Sequence, residues 1–110
     1  MKKGDIYLID LASSFGHEQC GFRPAILMSQ TVAGMIIVVP LTTNLEALRF
    51  PYTLSILENS TNNLSQNSIA LVFQLKSIDK KRVNKKIGRL GNQDMTKLEK
   101  TLKDLLDFRK

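Results

Sequence analysis

The nine residues GHEQCGFRP, at positions 16–24, contain the only histidine and the only cysteine of the chain. They also contain an acid, an amide, two glycines and an Arg-Pro pair, and apolar runs flank them on both sides. A histidine or a carboxylate can move protons, and an arginine can bind two phosphoryl oxygens at once. The sequence Thr-Thr-Asn at 42–44 ends a second apolar run and adds hydroxyl and amide groups. These residue types favour chemistry at a phosphate group.

Most other enzyme classes lack their characteristic residues in this sequence. One histidine and one cysteine cannot build a zinc site, and neither a P-loop nor a GxGxxG motif occurs. No serine stands in a nucleophile-elbow setting. Cleavage of RNA by its own 2′-hydroxyl needs no metal, cofactor or protein nucleophile, because the substrate supplies the nucleophile. It needs proton transfer and stabilisation of charge at phosphorus, which His17, Glu18, Arg23 and Thr42 could provide.

Basic residues are concentrated in residues 76–89. This basic window holds one acid and seven basic residues, a net charge of +6 that equals the charge of the whole chain. A local excess of positive charge favours contact with a polyanion such as RNA. The alternative interpretation is a solvent-exposed, lysine-rich hairpin without a partner. The basic residues are Lys76, Lys80, Lys81, Arg82, Lys85, Lys86 and Arg89.

The elements that must position these residues are mostly short strands. Apolar runs and β-forming residues predict strands at 5–11, 24–29, 35–41, 51–57, 68–78 and 86–90. The segments between them are predicted connections, and in the connection at 42–50 the side chains of Leu45 and Leu48 are expected to be buried. Apolar spacing after Gly91 predicts a helix with Asn92 as its N-cap and one buried face, made of Met95, Leu98, Leu102, Leu105 and Leu106. Together these elements predict a mainly β fold, a small curled sheet or barrel closed by a C-terminal helix.

Length and composition predict one globular domain over residues 1–110. The chain is 43% apolar and 24% charged, which is ordinary for a folded domain. The longest uncharged apolar run, GMIIVVPL, is too short to cross a membrane, and the N-terminus does not resemble a signal peptide. A lone cysteine cannot form an internal disulfide, so we expect a cytoplasmic protein without membrane contact.

The order of these motifs resembles the MazF/PemK family of toxins from bacterial toxin–antitoxin pairs. The resemblance rests on G-x-E-Q-x-G-x-R-P, on a strand ending in Pro-x-Thr, and on Gln-x-Lys-Ser-Ile-Asp from residue 74, and it covers nearly the whole chain. It implies a small SH3-like β-barrel with a C-terminal helix, a homodimer, and an acidic antitoxin that folds into the substrate groove. It also implies sequence-selective, metal-independent cleavage of single-stranded RNA. Such cleavage leaves a 2′,3′-cyclic phosphate and a 5′-hydroxyl.

The resemblance places the family's catalytic arginine at Arg23 and its catalytic threonine at Thr42. Gln74 and Lys76 match the end of the signature and would belong to the RNA groove. Further RNA contacts are expected from Glu18, Gln19, Thr43, Asn44, Lys80, Lys81 and Arg82.

One departure from the family pattern concerns proton transfer. Many relatives carry an acid directly before the signature glutamine, and some carry a basic residue two positions earlier. Here these positions are Phe73 and Leu71. Proton transfer would therefore fall to His17 or Glu18, or catalysis would rest mostly on Arg23 and Thr42.

Two other functions remain open at this point. A known toxin of the same fold acts on DNA gyrase, and a non-catalytic RNA-binding β-barrel would share the charge pattern. The Arg-Pro signature and the basic window favour RNA over gyrase. Only 6% of the residues are aromatic, whereas proteins that bind single strands usually stack bases on exposed rings, which disfavours the simple RNA-binding barrel.

Overall fold

The computed structural model describes residues 1–11 and 21–107, which form a seven-stranded antiparallel sheet followed by one α-helix. Three short 3₁₀ helices interrupt the strands, at Leu45–Arg49, Val72–Gln74 and Lys80–Arg82. The predicted mainly β fold with a C-terminal helix is confirmed. The strands and the helix are β1 (Asp5–Asp10), β2 (Phe22–Gln30), β3 (Met35–Thr42), β4 (Thr53–Ile56), β5 (Ser68–Leu71), β6 (Lys76–Asp79), β7 (Val83–Arg89) and α1 (Asn92–Leu106).

The sheet is organised around β3. Its strand order is β4-β5-β3-β2-β1-β7, and β6 also pairs with β3. Residues 35–38 of β3 pair with β6, whereas Leu41 and Thr42 pair with β5. Pro40, which has no amide hydrogen, lies between these two pairings and opposite Ala25 of β2. The long central strand therefore changes its pairing partner near Pro40.

Apolar side chains of the central strands alternate between two buried clusters, one on each face of the sheet. The helix-side cluster contains Ile6, Ile26, Val39 and Leu41 together with Leu98 of α1. The opposite cluster contains Ile9, Ala25, Leu27, Ile36, Val38 and Ile78, with Val83 packed against it. Each central strand thus contributes side chains to both clusters. This alternation determines on which side of the sheet the polar residues at the strand ends lie. No helix of the described residues is long and apolar enough to cross a membrane.

The loop at 57–67 links the two edges of the sheet. Asn62, which is fully buried, donates from its side-chain amide to the Leu57 carbonyl at 2.9 Å and accepts two backbone N–H bonds within the loop. The neighbouring Thr61 carbonyl accepts the Arg89 N–H of β7 at 3.1 Å. Because β4 and β7 are the first and last strands of this order, the contact curls the sheet without closing it into a hydrogen-bonded barrel.

The contact between this loop and β7 gives a test of the curled arrangement. A Cβ atom at Gly88 would overlap the backbone carbonyl of Asn62, whereas one at Gly91 would meet open space. We expect Gly88→Ser to lower the free energy of unfolding by about 1–3 kcal/mol, the usual cost of overpacking. The matched change Gly91→Ser should leave stability unchanged or slightly higher, because serine is a favourable N-cap residue. Urea denaturation measures both, and equal losses in the two variants would contradict this packing.

The structure corrects the boundaries of several predicted strands. The strand predicted at 68–78 is broken by the 3₁₀ helix Val72–Gln74, so that β5 and β6 pair with opposite ends of β3. The segment contains no glycine or proline to signal the break, because tertiary pairing and not local propensity causes it. β2 begins at Phe22 rather than at Pro24, and β7 begins at Val83 rather than near Lys86.

Three predictions about individual side chains were wrong. Leu45 and Leu48 are 63% and 48% exposed, because Ala47 is the residue that the Leu45–Arg49 helix buries. The N-cap of α1 is Gly91, and Asn92 is already helical. Leu106 is 45% exposed, because it lies at the end of α1, whereas Leu98 in the middle of the helix is fully buried.

Candidate functional site

Arg23 and Thr42 lie at neighbouring ends of β2 and β3. The pairing of β2 with β3 ends at Ala25 and Pro40, so Arg23 and Thr42 each lie two residues beyond this last pair, on adjacent strand ends. Side chains alternate along a strand, and Arg23 lies two residues before Ala25, whereas Thr42 lies four residues after Val38. Both residues therefore belong to the face of the opposite cluster, which contains Ala25 and Val38. Arg23 is exposed and Thr42 is only 8% exposed. The two strand ends thus bring an exposed arginine and a largely buried threonine to the same end of the sheet.

The position of Arg23 differs from the sequence prediction in one respect. It was predicted to end a loop at 12–23, but it lies within β2, where it pairs with Ile9 of β1. Pro24 follows it and has a fixed φ angle. The backbone of Arg23 is therefore held by strand pairing, which is a firmer support for a charged side chain than a loop.

Thr42 is held by hydrogen bonds at the end of β3. Its hydroxyl oxygen accepts the Asn44 N–H at 3.2 Å, and the Asn44 side-chain oxygen accepts the Glu46 N–H at 3.1 Å as the N-cap of the Leu45–Arg49 helix. A hydroxyl can accept and donate at the same time. The bond to Asn44 orients the Thr42 oxygen without using its proton, and that proton can be donated to a substrate oxygen.

A cavity of about 160 Å³ opens beside Thr42. Two aromatic rings contribute to its wall, since the Phe50 and Phe73 centroids are 5.6 Å apart and the Arg49 guanidinium lies 5.0 Å from the Phe50 centroid. Gln74, a predicted groove residue, also lines it. The complete lining is Thr42, Asn44, Glu46, Ala47, Arg49, Phe50, Leu71, Phe73 and Gln74.

Sequence reasoning did not single out Glu46, Arg49 or Phe50. They reach the cavity because the Leu45–Arg49 helix folds back against the end of β5, where Ala47 packs with Ile69 and Leu71. A five-residue 3₁₀ helix has too few positions for a hydrophobic period. The signal that could have found it is the Asn44 cap followed by an acid and, three residues later, a base.

The basic turn Lys80–Arg82 begins beside the β2–β3 turn, where the Lys80 N–H donates to the Gly34 carbonyl at 2.8 Å, and it ends near Phe22 at the start of β2. Arg82 lines one cleft with Lys76 and Leu11, and a second cleft with Phe22 and Lys81. The Asp79 side chain caps the turn by accepting the Lys81 N–H at 2.8 Å. Lys76 pairs with Val38 and alternates with Ile78, so it shares the face of Arg23 and Thr42. Lys81 and Arg82 thus approach the start of β2, whereas Lys80 lies at the opposite end of that strand.

The rest of the basic window has other neighbours. The Lys86 ammonium lies 3.3 Å from the Asp5 carboxylate, which is nearly buried and accepts bonds from the Tyr7 hydroxyl and the Lys2 N–H. Burial raises the pKa of Asp5, but these hydrogen bonds and the Lys86 charge outweigh it and hold the pKa below its ordinary value. Lys86 therefore neutralises the nearly buried Asp5 carboxylate. Arg89 lies at the far end of β7, opposite Asp5.

The remaining predicted residues lie in four different places. Asn44 lines the cavity, whereas Thr43 lines a different cleft with Pro24 and Lys85. Lys80 lies beside Ala33 and Gly34 at the β2–β3 turn. His17, Glu18 and Gln19 fall outside the described residues. Within residues 1–11 and 21–107, no three His, Cys, Asp or Glu side chains are grouped as metal ligands would be; the absence of a metal from the reaction stays a prediction.

Comparison with known sequences supports the resemblance seen in the motifs. The model of the family described as PemK-like, MazF-like toxin of type II toxin–antitoxin system matches residues 2–106. The chain is 29% identical to Endoribonuclease EndoA of Bacillus subtilis, with 98% of each protein covered. It is 28% identical to Endoribonuclease MazF of Staphylococcus saprophyticus, with 93% of this chain and 88% of that protein covered.

Comparison with solved structures gives the same fold. MazF from Deinococcus radiodurans superposes with a TM-score of 0.79 at 21% identity, covering 97% of this chain and 96% of that one. A mycobacterial endoribonuclease, solved in complex with its cognate antitoxin, has a TM-score of 0.75 at 18% identity, covering 98% and 96%. Since the family model spans nearly the whole chain, this protein belongs to the PemK/MazF family of toxins of type II toxin–antitoxin systems.

Proposed function

We propose that this protein is the toxin of a type II toxin–antitoxin pair and that it is a sequence-selective endoribonuclease acting on single-stranded mRNA. The observation that carries the proposal is that Arg23 and Thr42 lie two residues beyond the last paired residues of β2 and β3, on adjacent strand ends. Two relatives named as endoribonucleases, aligned over at least 93% of this chain, support it. Cleavage is independent of metal. The 2′-hydroxyl oxygen attacks phosphorus, the bond from phosphorus to the 5′-oxygen breaks, and a 2′,3′-cyclic phosphate and a 5′-hydroxyl result.

Each catalytic residue has a chemical role in this reaction. Arg23 binds two phosphoryl oxygens through its planar guanidinium and stabilises the charge that develops on them. Thr42 donates its hydroxyl proton to the same phosphate. His17 or Glu18 takes the proton from the 2′-hydroxyl and returns one to the 5′-oxygen. Gln19, Thr43, Asn44, Gln74 and Lys76 contact the RNA on either side of the cut.

The proposal includes two protein partners. One small domain offers little surface for gripping several nucleotides, so the protein acts as a homodimer with a groove across the two-fold interface. The relatives solved with an antitoxin support a second partner, an acidic antitoxin whose segment competes with RNA for the basic residues. Both partners are expected to meet the toxin in the cytoplasm.

Incubation of the purified protein with single-stranded RNA, with and without EDTA, tests the proposed function. We expect cleavage in both samples and fragments that carry a cyclic phosphate and a 5′-hydroxyl. RNA that is bound but left intact would favour the non-catalytic RNA-binding barrel. Inhibition of gyrase supercoiling with intact RNA would favour a gyrase-directed toxin.

The role of the basic turn is tested by salt dependence. Each Lys or Arg that contacts a phosphate of a single strand contributes about −0.7 to the slope of log affinity against log salt. Replacing Lys80, Lys81 and Arg82 together with alanine should therefore flatten the slope by up to about 2, measured by fluorescence anisotropy on a non-cleavable RNA. The control replaces Lys97, Lys100 and Lys103, three exposed lysines of α1, and removes the same charge. An equal change of the slope in both variants would mean that the basic turn contributes only through the net charge of the protein.

A further inference from the structure

We infer that the cavity beside Thr42 binds one unpaired nucleobase of the substrate and that Glu46 selects cytosine there. We call this cavity the base pocket, with the lining given above. The inference rests on the proposed function, since it names the part of the RNA that the same site recognises. It is carried by four features of the pocket: its size, its flat walls, its polar edge and its place next to Thr42.

The size of the base pocket matches one six-membered ring. Its volume is about 160 Å³, and an apolar cavity of roughly 150 Å³ is known to accommodate benzene. The pocket lies at the end of β3 that carries Thr42, so a base bound in it belongs to a nucleotide next to the phosphate held by Arg23 and Thr42. A pyrimidine ring fits this volume better than a purine.

The walls of the base pocket suit a planar ligand. Arg49 lies over Phe50, and Phe50 contacts Phe73 at an interplanar angle of 50°, so that three flat groups follow one another. Unpaired bases stack on aromatic rings and on guanidinium planes. The backbone supports this arrangement, since the Phe73 N–H donates to the Tyr52 carbonyl at 3.2 Å. Aromatic residues are few in this chain, yet the fold brings two of them together here.

The polar edge of the base pocket gives its selectivity. Glu46 and Arg49 are three residues apart in a 3₁₀ helix, where such side chains lie one above the other. A carboxylate accepts from the exocyclic amino group of cytosine but faces an acceptor oxygen on uracil. Arg49 and Gln74 offer donors for the acceptor atoms on the same base.

The sign of the Glu46 charge also argues for base recognition. A carboxylate at an RNA site repels the phosphate backbone, so it weakens binding unless it makes a specific contact. Arg49 in the next turn offsets this charge locally. A carboxylate with a guanidinium one 3₁₀ turn away, at the end of β3 that carries Thr42, suits selective contact with an amino group.

Binding of three short RNAs tests the inference. Oligo-C, oligo-U and oligo-A of equal length, each with 2′-O-methyl riboses to prevent cleavage, are titrated by fluorescence anisotropy. We expect the unaltered protein to bind oligo-C about 5- to 10-fold more tightly than oligo-U, the lower end of discrimination for a base contact. In Glu46→Gln this ratio should fall towards one, mainly because oligo-U binds more tightly. The matched variant Glu58→Gln, at another exposed glutamate, should keep the ratio.

The direction of the change separates recognition from general electrostatics. If Glu46 only repels phosphates, Glu46→Gln will strengthen binding of all three RNAs by the same factor, and the inference is overturned. Equal binding of oligo-C and oligo-U by the unaltered protein would overturn it as well. A cytosine preference that depends on Glu46, in a protein that leaves unmodified RNA uncut, would support the base pocket and overturn the proposed cleavage.

Discussion

Arg23→Ala is expected to slow RNA cleavage by about 10²–10³-fold, the usual effect of removing one preorganised donor that stabilises developing charge. Arg23 stands on a strand paired with β1, and its backbone is therefore fixed before the substrate arrives. Little reorganisation is needed when charge develops on the phosphoryl oxygens. The loss should appear in the single-turnover rate at saturating protein, measured with an end-labelled RNA, and not only in affinity.

Two variants show whether the effect belongs to the guanidinium at this position. Arg23→Lys keeps the charge but loses the two parallel N–H donors, and it should recover only part of the rate. Arg89→Ala removes one exposed arginine at the far end of β7 and should cleave at nearly the normal rate. Full activity in Arg23→Ala, or an equal loss in Arg89→Ala, would remove Arg23 from the catalytic site.

The main elements of the fold could be predicted because their apolar patterns are strong. The run at 35–41 is uninterrupted, which is typical of a central strand, and the spacing of Met95, Leu98 and Leu102 has the period of a helix. The break at Val72–Gln74 could not be predicted, because both flanking segments are apolar and continuous in sequence. Only the pairing of β5 and β6 with opposite ends of β3 requires it.

The candidate site shows a similar division between local and tertiary information. Arg23 and Thr42 were identifiable from the motifs in which they stand, but their proximity depends on the register of β2 and β3. Glu46 and Phe50 stand in no motif and reach the site through the fold of a connection. Phe73 occupies a position that is often acidic in the family pattern, and here its ring packs against Phe50. The phenylalanine that replaces the family's acid therefore removes one group for proton transfer and forms part of the wall of the base pocket.

A substrate with a single 2′-deoxyribose on the 5′ side of the cut is expected to bind normally and to remain uncut. The proposed reaction has no nucleophile other than that 2′-hydroxyl, so its removal eliminates the attack rather than slowing it. The contacts of Arg23, Thr42 and the basic turn are to phosphates, which the deoxy sugar leaves in place. The cut site is first mapped on the unmodified RNA by labelling the new 5′-hydroxyl ends.

Gel analysis then compares this RNA with one that carries the deoxyribose one nucleotide further downstream. The downstream substitution should leave cleavage at the mapped bond intact, because that sugar takes no part in the attack. Cleavage of the first substrate at the same bond would require water or a protein group as nucleophile. In that case Arg23 and Thr42 would still be placed to bind the phosphate, but the intramolecular reaction proposed here would be wrong.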